Sequence, residues 1–312
     1  MQYADNSTSG RYTYNTAIGY EALSGSTTPS NNTGRYNTSV GYQALYSNTT
    51  GTYNTANGYQ ALYSNTTGTY NTSNGYKSLQ TNTTGYSNTA NGYQALKANT
   101  EGYANTANGY QALKANTTGY VNTAFGYSAF SVGTAYTNST GLGYDAEPGA
   151  SNTVRIGNSD VTTIGGYTNW TNVSDGRFKK NVQENVVGLE FIKKLRPVTY
   201  QLDMDAIAGF NKTPDSLRLP ESEKLKEAEI QSGFIAQEVE QAALSVGYDF
   251  HGVDKPKNKT SHYGLRYAEF VVPLVKAVQE LETENKQIKA ENKQLKEMLK
   301  TIEQRLEVLE NK

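Results

Sequence analysis

One dipeptide, Gly-Tyr, recurs at every seventeenth position along much of the first half of the chain. Its glycines are Gly41, Gly58, Gly75, Gly92, Gly109, Gly126 and Gly143, and a longer interval separates Gly19 from Gly41. An Asn-Thr pair keeps the same step, and a small and then a larger apolar residue follow most of the Gly-Tyr pairs, as in Ala61-Leu62. This period is too short for a helix pair, and Gly, Asn and Thr favour turns and strands. The repeat therefore predicts a β-solenoid or β-roll with one rung per repeat.

Each repeat is too small to have a core of its own. We expect two short strands and two turns per rung, with rungs about 4.7–4.9 Å apart. Ala, Leu and one Tyr of each rung are expected to point inward or toward a neighbouring chain, and asparagine amides are expected to pair between rungs. Residues 1–170 hold only 12 charged residues, and Leu, Ile and Phe are sparse there. Such a poor core favours stacking of repeats and of chains, so we expect three rolls that share an axis.

The repeat over residues 10–145 resembles the head repeats of trimeric autotransporter adhesins and similar repeats of phage fibres. Two roles are open for it: a rigid spacer without a site, or a shaft that binds a host cell-surface receptor or a glycan. The 25 tyrosines of the chain motivate the second role, since aromatic rings offer apolar faces to ligands. Four carboxylates of this region are scattered, at Glu21, Glu101, Asp145 and Glu147, so no polysaccharide-cleaving acid pair is expected.

Composition excludes several kinds of site. The sequence has no cysteine and two histidines, which excludes disulfides and thiolate metal sites; we expect no metal and no cofactor. A formal net charge of −1 gives no overall attraction to nucleic acid or to a membrane. The chain has no run of about 18 apolar residues and no secretory signal at Met1, so membrane insertion is not expected. Because it opens inside the repeat composition, we expect it to be the C-terminal part of a longer protein.

The chain changes character after the repeat. Val154 to Gly157 and Val161 to Gly166 alternate apolar and polar residues and are predicted to be short strands of a neck. Trp170, the only tryptophan, is expected to pack at a three-fold axis. The run Ser174-Asp175-Gly176-Arg177-Phe178-Lys179 follows. A serine and a lysine five residues apart can supply a hydroxyl nucleophile and an amine base if the fold brings them together, although Ser-Asp alone is also an ordinary turn sequence.

Four further blocks follow this junction. They are Gly188-Leu189-Glu190-Phe191-Ile192, Leu195-Arg196-Pro197-Val198-Thr199-Tyr200, Gly233-Phe234-Ile235-Ala236-Gln237-Glu238-Val239-Glu240 and Leu265-Arg266-Tyr267-Ala268-Glu269-Phe270. Over about residues 172–285, and in this order, they closely resemble the peptidase S74 family. That family is the intramolecular chaperone domain of phage endosialidases and other tail spikes.

The resemblance implies a single-turnover, self-cleaving serine endopeptidase with no other substrate. The domain would trimerise, guide folding of the β-rich part before it, and then be released by cleavage at the Ser-Asp position. The family's serine falls on Ser174 and its dyad lysine on Lys179, with Asp175 and Arg177 on the other fixed positions of the motif. Cleavage would lie at 173/174 or at 174/175. His262 is a candidate for a supporting role across subunits, although a lone histidine is more often structural.

Secondary structure in the chaperone region is predicted from local patterns. Residues 187–194 have helical spacing, and residues 198–202 are predicted to form a strand. Residues 203–232 are polar and look like an insertion, with a helix over 221–230. Residues 235–246 are predicted to be helical, and residues 251–258 are predicted to be a loop.

The end of the chain carries a heptad pattern over five repeats. Its core positions are Leu274, Val278, Leu281, Asn285, Ile288, Asn292, Leu295, Leu299, Ile302, Leu306 and Leu309. Apolar residues at a and d predict a left-handed coiled coil. The heptads alone allow a dimer, a trimer or a tetramer. We interpret the two core asparagines, which fix register at a cost in stability, as marking a parallel homotrimer.

The predicted fold is a mainly β repeat, then a small α/β chaperone domain, then a trimeric coiled coil. The predicted domains are 1–150 for the β-repeat, 151–173 for a β neck, 174–268 for the chaperone domain and 269–312 for the coil. We expect a homotrimeric fibre or adhesin tip, located in a virion tail fibre, that cleaves itself at Ser174. The alternatives are a bacterial surface adhesin or stalk with the same processing domain, and a permanent trimer cap that no longer cuts.

Overall fold

A computed structural model describes residues 12–310. The strands and α-helices are β1 (Thr16–Ile18), β2 (Thr38–Val40), β3 (Thr55–Asn57), β4 (Thr72–Asn74), β5 (Thr89–Asn91), β6 (Thr106–Asn108), β7 (Thr123–Phe125), β8 (Thr140–Leu142), β9 (Val154–Ile156), α1 (Leu189–Ile192), β10 (Val198–Tyr200), α2 (Met204–Asn211), α3 (Pro220–Ala228), β11 (Gln231–Gly233), α4 (Ala236–Ser245), β12 (Val253–Asp254), β13 (Gly264–Leu265) and α5 (Val271–Glu310). Over this described range, no helix combines the length and the apolar character that a membrane span needs.

Two compact units form, and they do not follow the linear order of the chain. The first unit contains the chain up to Gly166 together with Leu202–Ala228 and Lys257–Ser261. The second contains Tyr167–Gln201, Glu229–Pro256 and the C-terminal part from His262. The insertion predicted between the family blocks therefore belongs to the unit that contains the repeat.

The repeat forms a β-solenoid, as predicted. Strands β1 to β9 make one parallel sheet in chain order. Each strand pairs with the same repeat position of the next turn, as where Thr55 faces Thr72. The period is confirmed by contacts between residues 17 positions apart, such as the hydrogen bond from the Asn54 N–H to Asn37 Oδ1. The prediction of two strands per turn is wrong, because each turn has a single strand of three residues.

Left-handed backbone explains the single strand per turn. Gln60 and Leu62 have φ values of 52° and 51°, so the chain curls where a second strand was expected. A residue with a side chain pays roughly 1–2 kcal/mol for this conformation. Neighbouring turns hold it in place, since the Leu62 N–H donates to the Ser78 carbonyl at 3.1 Å. Gly58, with φ 135°, is required as glycine, because a Cβ there would lie 2.5 Å from the Gly75 carbonyl oxygen.

The solenoid interior combines apolar and amide ladders. The repeat leucines Leu45, Leu62, Leu79, Leu96 and Leu113 are fully buried as predicted, and so is the small residue before each, which is Ser78 in one repeat and alanine in the others. The Asn82 side-chain amide donates to Asn65 Oδ1 at 2.8 Å, and the Asn99 amide donates in turn to Asn82 Oδ1. These contacts confirm the amide pairing between rungs and satisfy polar groups that burial would otherwise penalise. The Gly-Tyr tyrosines lie outside this core, contrary to an inward placement.

The second unit has an aromatic core to which three of the four blocks contribute. Phe191, Val239, Phe250 and Phe270 are buried there with Ala242, Ala243 and Val253. The predicted helices and strand of this region appear as α1, β10 and α4. The predicted loop at 251–258 contains the short strand β12, which pairs with β13. Val154–Ile156 is a strand as predicted, whereas residues 161–166 form none, so that half of the predicted neck is wrong.

Two carboxyl groups near the last solenoid turns have raised pKa values. Burial raises the pKa of Glu147 to about 7, although the Ser131 N–H donates to its carboxylate. Burial, and secondly the charge of Asp160, raise the pKa of Asp145 to about 6. Because the folded pKa of Glu147 lies above its ordinary 4.5, folding favours the protonated form. That contribution to stability is complete below about pH 4.5 and is lost as the pH rises through about 7.

We therefore predict that Glu147→Gln flattens part of the pH dependence of stability. Between pH 5 and 8 the unmodified solenoid should lose on the order of 2–3 kcal/mol relative to Glu147→Gln, since each pKa unit is worth about 1.4 kcal/mol. Thermal unfolding followed by circular dichroism at several pH values measures the difference. Exposed Glu101 offers the control Glu101→Gln, which should track the unmodified chain. If the stability of Glu147→Gln and of the unmodified chain changed with pH in the same way, the raised pKa of Glu147 would be contradicted.

Candidate self-cleavage site

A tight turn follows Ser174 and reverses the chain. Asp175 is extended, with φ −69° and ψ 127°, and its carboxylate accepts a hydrogen bond from the Arg177 N–H at 2.9 Å. This cap starts the 3-10 helix Gly176–Phe178. The helix ends with a hydrogen bond of 3.2 Å from the Lys179 N–H to the Gly176 carbonyl. Asp is a favoured residue at such a position because its short side chain reaches the second following N–H. The turn brings the side chains on either side of it together.

The serine and the lysine of the predicted dyad are in hydrogen-bond contact. Lys179 Nζ lies 2.9 Å from Ser174 Oγ, within the distance that proton transfer between a nucleophile and a base requires. Both side chains are exposed in the single chain. Lysine acts as a base only after losing its proton, and desolvation is what favours the neutral amine. The geometry thus places the lysine amine and the serine hydroxyl in contact, and both are exposed to water in the single chain.

Asp175 and Arg177 form an ion pair beside this dyad. Arg177 Nη2 lies 2.6 Å from Asp175 Oδ2, and Arg177 Nε lies 3.0 Å from the same oxygen. The hydrogen bonds from Arg177 lower the pKa of Asp175, and the same contact raises the pKa of Arg177. The pair holds the turn, and Asp175 balances the charge of Arg177.

His262 lies on the surface of the same unit. Its Nδ1 is 3.0 Å from the carbonyl oxygen of the next residue, Tyr263. A supporting role for His262 at the junction stays a prediction.

Glu280, which the sequence did not single out, fixes one family block to the long helix. Its carboxylate accepts from the Leu189 N–H at 2.7 Å and so caps α1. A Cβ at Gly188 would lie 2.6 Å from the same carboxylate, which explains the glycine. In the sequence Glu280 is one of many flanking glutamates of the heptads, so no local signal marks it. Elsewhere in this unit Arg196 pairs bidentately with Glu238, and the Phe234 N–H donates to Tyr267 Oη.

Helix α5 carries an exposed apolar stripe. The apolar members of the predicted coil core are all exposed in the single chain, Leu281 at 41% and Ile288 at 52%. The Asn285 amide folds back onto the Leu281 carbonyl at 3.0 Å. A solvent-exposed helix normally has a polar surface all round, so this stripe is suited to packing against other helices.

The solenoid surface carries a ladder of stacked tyrosines. Its members are Tyr20, Tyr42, Tyr59, Tyr76, Tyr93, Tyr110, Tyr127 and Tyr144. Successive rings lie 4.5–5.6 Å apart and nearly parallel. Each inner ring therefore has both faces covered by its neighbours and presents only its edge and hydroxyl. Sugar stacking on ring faces, which motivated a glycan-binding shaft, is blocked along this ladder.

Within residues 12–310, no cluster of three or more His, Asp or Glu side chains is arranged to hold an ion.

Comparison with known proteins gives one match. Residues 174–250 match the family model Peptidase_S74, described as chaperone of endosialidase. Searches of curated proteins and of solved structures gave no match. The matched segment begins at Ser174 and includes the turn, the dyad and most of the blocks that build the aromatic core. Residues 174–250, about a quarter of the chain, are thus similar to the chaperone of endosialidase of the Peptidase S74 family, and a β-solenoid precedes them.

Proposed function

We propose that this protein is a homotrimeric fibre tip whose C-terminal domain drives assembly and then cuts the chain at Ser174. The observation that carries the proposal is the 2.9 Å contact between Lys179 Nζ and Ser174 Oγ at the first residues of the matched domain. A β-solenoid on the N-terminal side and a family of intramolecular chaperones on the C-terminal side fit a tail-fibre-like protein.

The proposed reaction is a hydrolysis that needs no cofactor. Ser174 Oγ attacks a backbone carbonyl carbon, a C–O bond forms and the C–N bond breaks. The lysine amine takes the hydroxyl proton and passes it to the leaving nitrogen. Water then splits the ester, so one water is consumed and one carboxyl and one amine result. Attack on the Val173 carbonyl cuts at 173/174, whereas attack by a serine of a neighbouring chain can cut at 174/175.

Assembly provides a reason for the site to work only in the folded trimer. In one chain the dyad is exposed, and water competes for both groups. Packing of three chains would remove water from the lysine, and desolvation favours its neutral form. Under this proposal, cleavage reports that the chains have assembled.

A trimer would also allow the exposed apolar residues of segment 161–173, between the solenoid and Ser174, to pack against other chains. Val161, Ile164, Tyr167, Trp170 and Val173 are spaced by three and exposed. Residues 162–173 make no hydrogen bond to other described residues. An extended chain with three residues per turn aligns every third side chain. We propose that these side chains meet around the axis of the homotrimer, in keeping with the expectation for Trp170.

Trp170 makes this arrangement measurable, because it is the only tryptophan and is 85% exposed in the single chain. In the uncut variant Ser174→Ala, its emission should be blue-shifted and resist acrylamide quenching. The same chain made monomeric by Leu281→Asp and Ile288→Asp should show red-shifted, readily quenched emission, since the ring is then in water. Equal quenching in the trimer and the monomer would contradict the placement at the axis.

Refolding tests the chaperone role. We expect the uncut Ser174→Ala chain to regain its trimeric solenoid after denaturation and dilution, because the coil joins the three chains first and raises their effective concentration. The purified N-terminal product of the cut chain should regain at most a small fraction, since pairing distant strands is slow and exposes edges to aggregation. Circular dichroism and size-exclusion chromatography measure the yields. Equal recovery of the two would refute the chaperone role.

Other functions are compatible with the same domain. A bacterial surface adhesin or stalk would use the same processing, and its location would differ from a virion. Binding of a host receptor or glycan by the solenoid would have to use ring edges and hydroxyl groups of the tyrosine ladder. A permanent trimer cap would keep the coil and lose the cut, and the intact mass of the chain separates that function from self-cleavage.

A further inference from the structure

Residues 202–228, which contain most of the predicted insertion and are called the insertion from here on, form a small folded element. Asp203 caps α2 by accepting from the Ala206 N–H at 2.8 Å. Arg218 joins the two helices, with Nη2 2.6 Å from Asp205 Oδ1 and 2.7 Å from Glu223 Oε2. Glu223 is buried, so losing its pairing with Arg218 would leave an uncompensated buried charge and destabilise the element. These contacts fix the shape of the surface that the insertion presents.

This insertion lies in the same compact unit as the solenoid. Tyr144, the last member of the tyrosine ladder, donates its hydroxyl to the Leu217 carbonyl at 2.8 Å. Burial is the main cause that raises the pKa of Asp160; Glu223 of the insertion raises it further and Arg218 lowers it, so these two charged groups lie near Asp160. The insertion therefore contacts the C-terminal turns of the solenoid through Tyr144 and lies near Asp160.

A second segment, residues 257–261, contacts the same end. Tyr136 Oη lies 2.9 Å from Thr260 Oγ1, and the Asn258 amide donates to the Gly149 carbonyl at 3.0 Å. The segment is held in a turn by Ser261 Oγ, which accepts from the Lys257 N–H at 2.7 Å. Such preorganisation reduces the entropy lost on docking.

The contacts of Tyr136, Tyr144 and Gly149 with these two segments join residues before Ser174 to residues after it. We infer that residues 202–228 and 257–261 are the surface by which the chaperone domain holds the solenoid, and that they keep the C-terminal fragment docked after the chain is cut. The inference rests on the proposed function for the cut and for the trimer. Its physical basis is that cleavage at Ser174 removes none of these contacts. Three docked surfaces joined by one coil also gain avidity, because each release leaves two others bound.

The test is retention of the C-terminal fragment after cutting. A protease site placed over residues 167–172 of the Ser174→Ala chain allows the cut to be made by an added protease, so the result does not depend on self-cleavage. After cutting, the two fragments should separate on a denaturing gel and co-elute in size-exclusion chromatography at physiological salt. Elution of the fragments as separate species would overturn the inference, whatever the outcome for self-cleavage.

Substitutions at the docking surface identify the contacts. The double variant Tyr144→Phe, Asn258→Ala removes two contacts and should lower the retained fraction at least tenfold. The control Tyr127→Phe, Lys259→Ala changes the preceding rung of the ladder and a neighbouring residue of the same turn, and should retain the fragment. Equal retention in the two variants would refute this docking surface. Circular dichroism of the uncut variants checks that each is folded. Tyr144→Phe alone removes one contact and should lower the retained fraction by less than the double variant does.

Discussion

Replacing both Leu281 and Ile288 with aspartate is expected to make the Ser174→Ala chain monomeric. The same replacement in the chain that keeps Ser174 is expected to abolish self-cleavage. Both side chains occupy core positions of the heptads and are exposed in the single chain. Burial of each stabilises a coil by about 1.5–3 kcal/mol per chain, and the change places six carboxylates in the core of a trimer, where unpaired charges cost several kcal/mol each. Sedimentation measures the oligomeric state, and a denaturing gel measures the cut.

A matched control separates loss of the core from added charge. Thr283→Asp with Ala290→Asp has the same seven-residue spacing and the same added charge, at outward positions of the same helix. This control should remain trimeric and should cut at the unmodified rate. A double variant at Leu281 and Ile288 that remained trimeric would contradict the coil assignment. A monomeric variant that still cut would show that cleavage does not require assembly.

Lys179→Ala is expected to slow self-cleavage by at least about a thousandfold, because removal of one member of a catalytic unit costs nearly as much as removal of all. Lys179 is the residue whose amine contacts Ser174 Oγ. Lys179→Arg should be equally slow, since a guanidinium stays protonated and cannot accept the hydroxyl proton. The extent of cutting at fixed times after refolding measures the rate.

Lys180 provides the control, because it is adjacent and of the same residue type. Lys180→Ala should cut at the unmodified rate, since the turn at Gly176–Phe178 directs residue 179 toward the serine. Both lysine variants should form trimers, which separates the chemistry from assembly. Self-cleavage of Lys179→Ala at the unmodified rate would show that Lys179 is not the base.

Periodicity made much of the fold predictable. The constant step of the Gly-Tyr repeat determined the solenoid, because a fixed repeat must place equivalent residues in register, as the leucine and asparagine ladders show. The long helix followed from the heptads. The serine–lysine spacing indicated the site, and the local turn capped by Asp175 explains why residues 174 and 179 meet.

Tertiary contacts account for what the sequence did not predict. Left-handed residues such as Gln60 and Leu62 removed the second strand of each rung, and their conformation depends on neighbouring turns. Residues 161–166 form no strand because nothing in the described chain pairs with them. The docking of residues 202–228 on the solenoid and the capping of α1 by Glu280 join distant positions, for which a single sequence has no periodic signal.

Self-cleavage at Ser174 is tested by the intact mass of freshly expressed wild type beside that of Ser174→Ala, measured under denaturing conditions. The account predicts that wild type separates into two pieces while Ser174→Ala remains whole. Masses that correspond to 1–173 and 174–312 would place the cut before Ser174, and masses that correspond to 1–174 and 175–312 would place it after. An intact wild-type chain would contradict self-cleavage, and the C-terminal domain would then be a permanent trimer clamp.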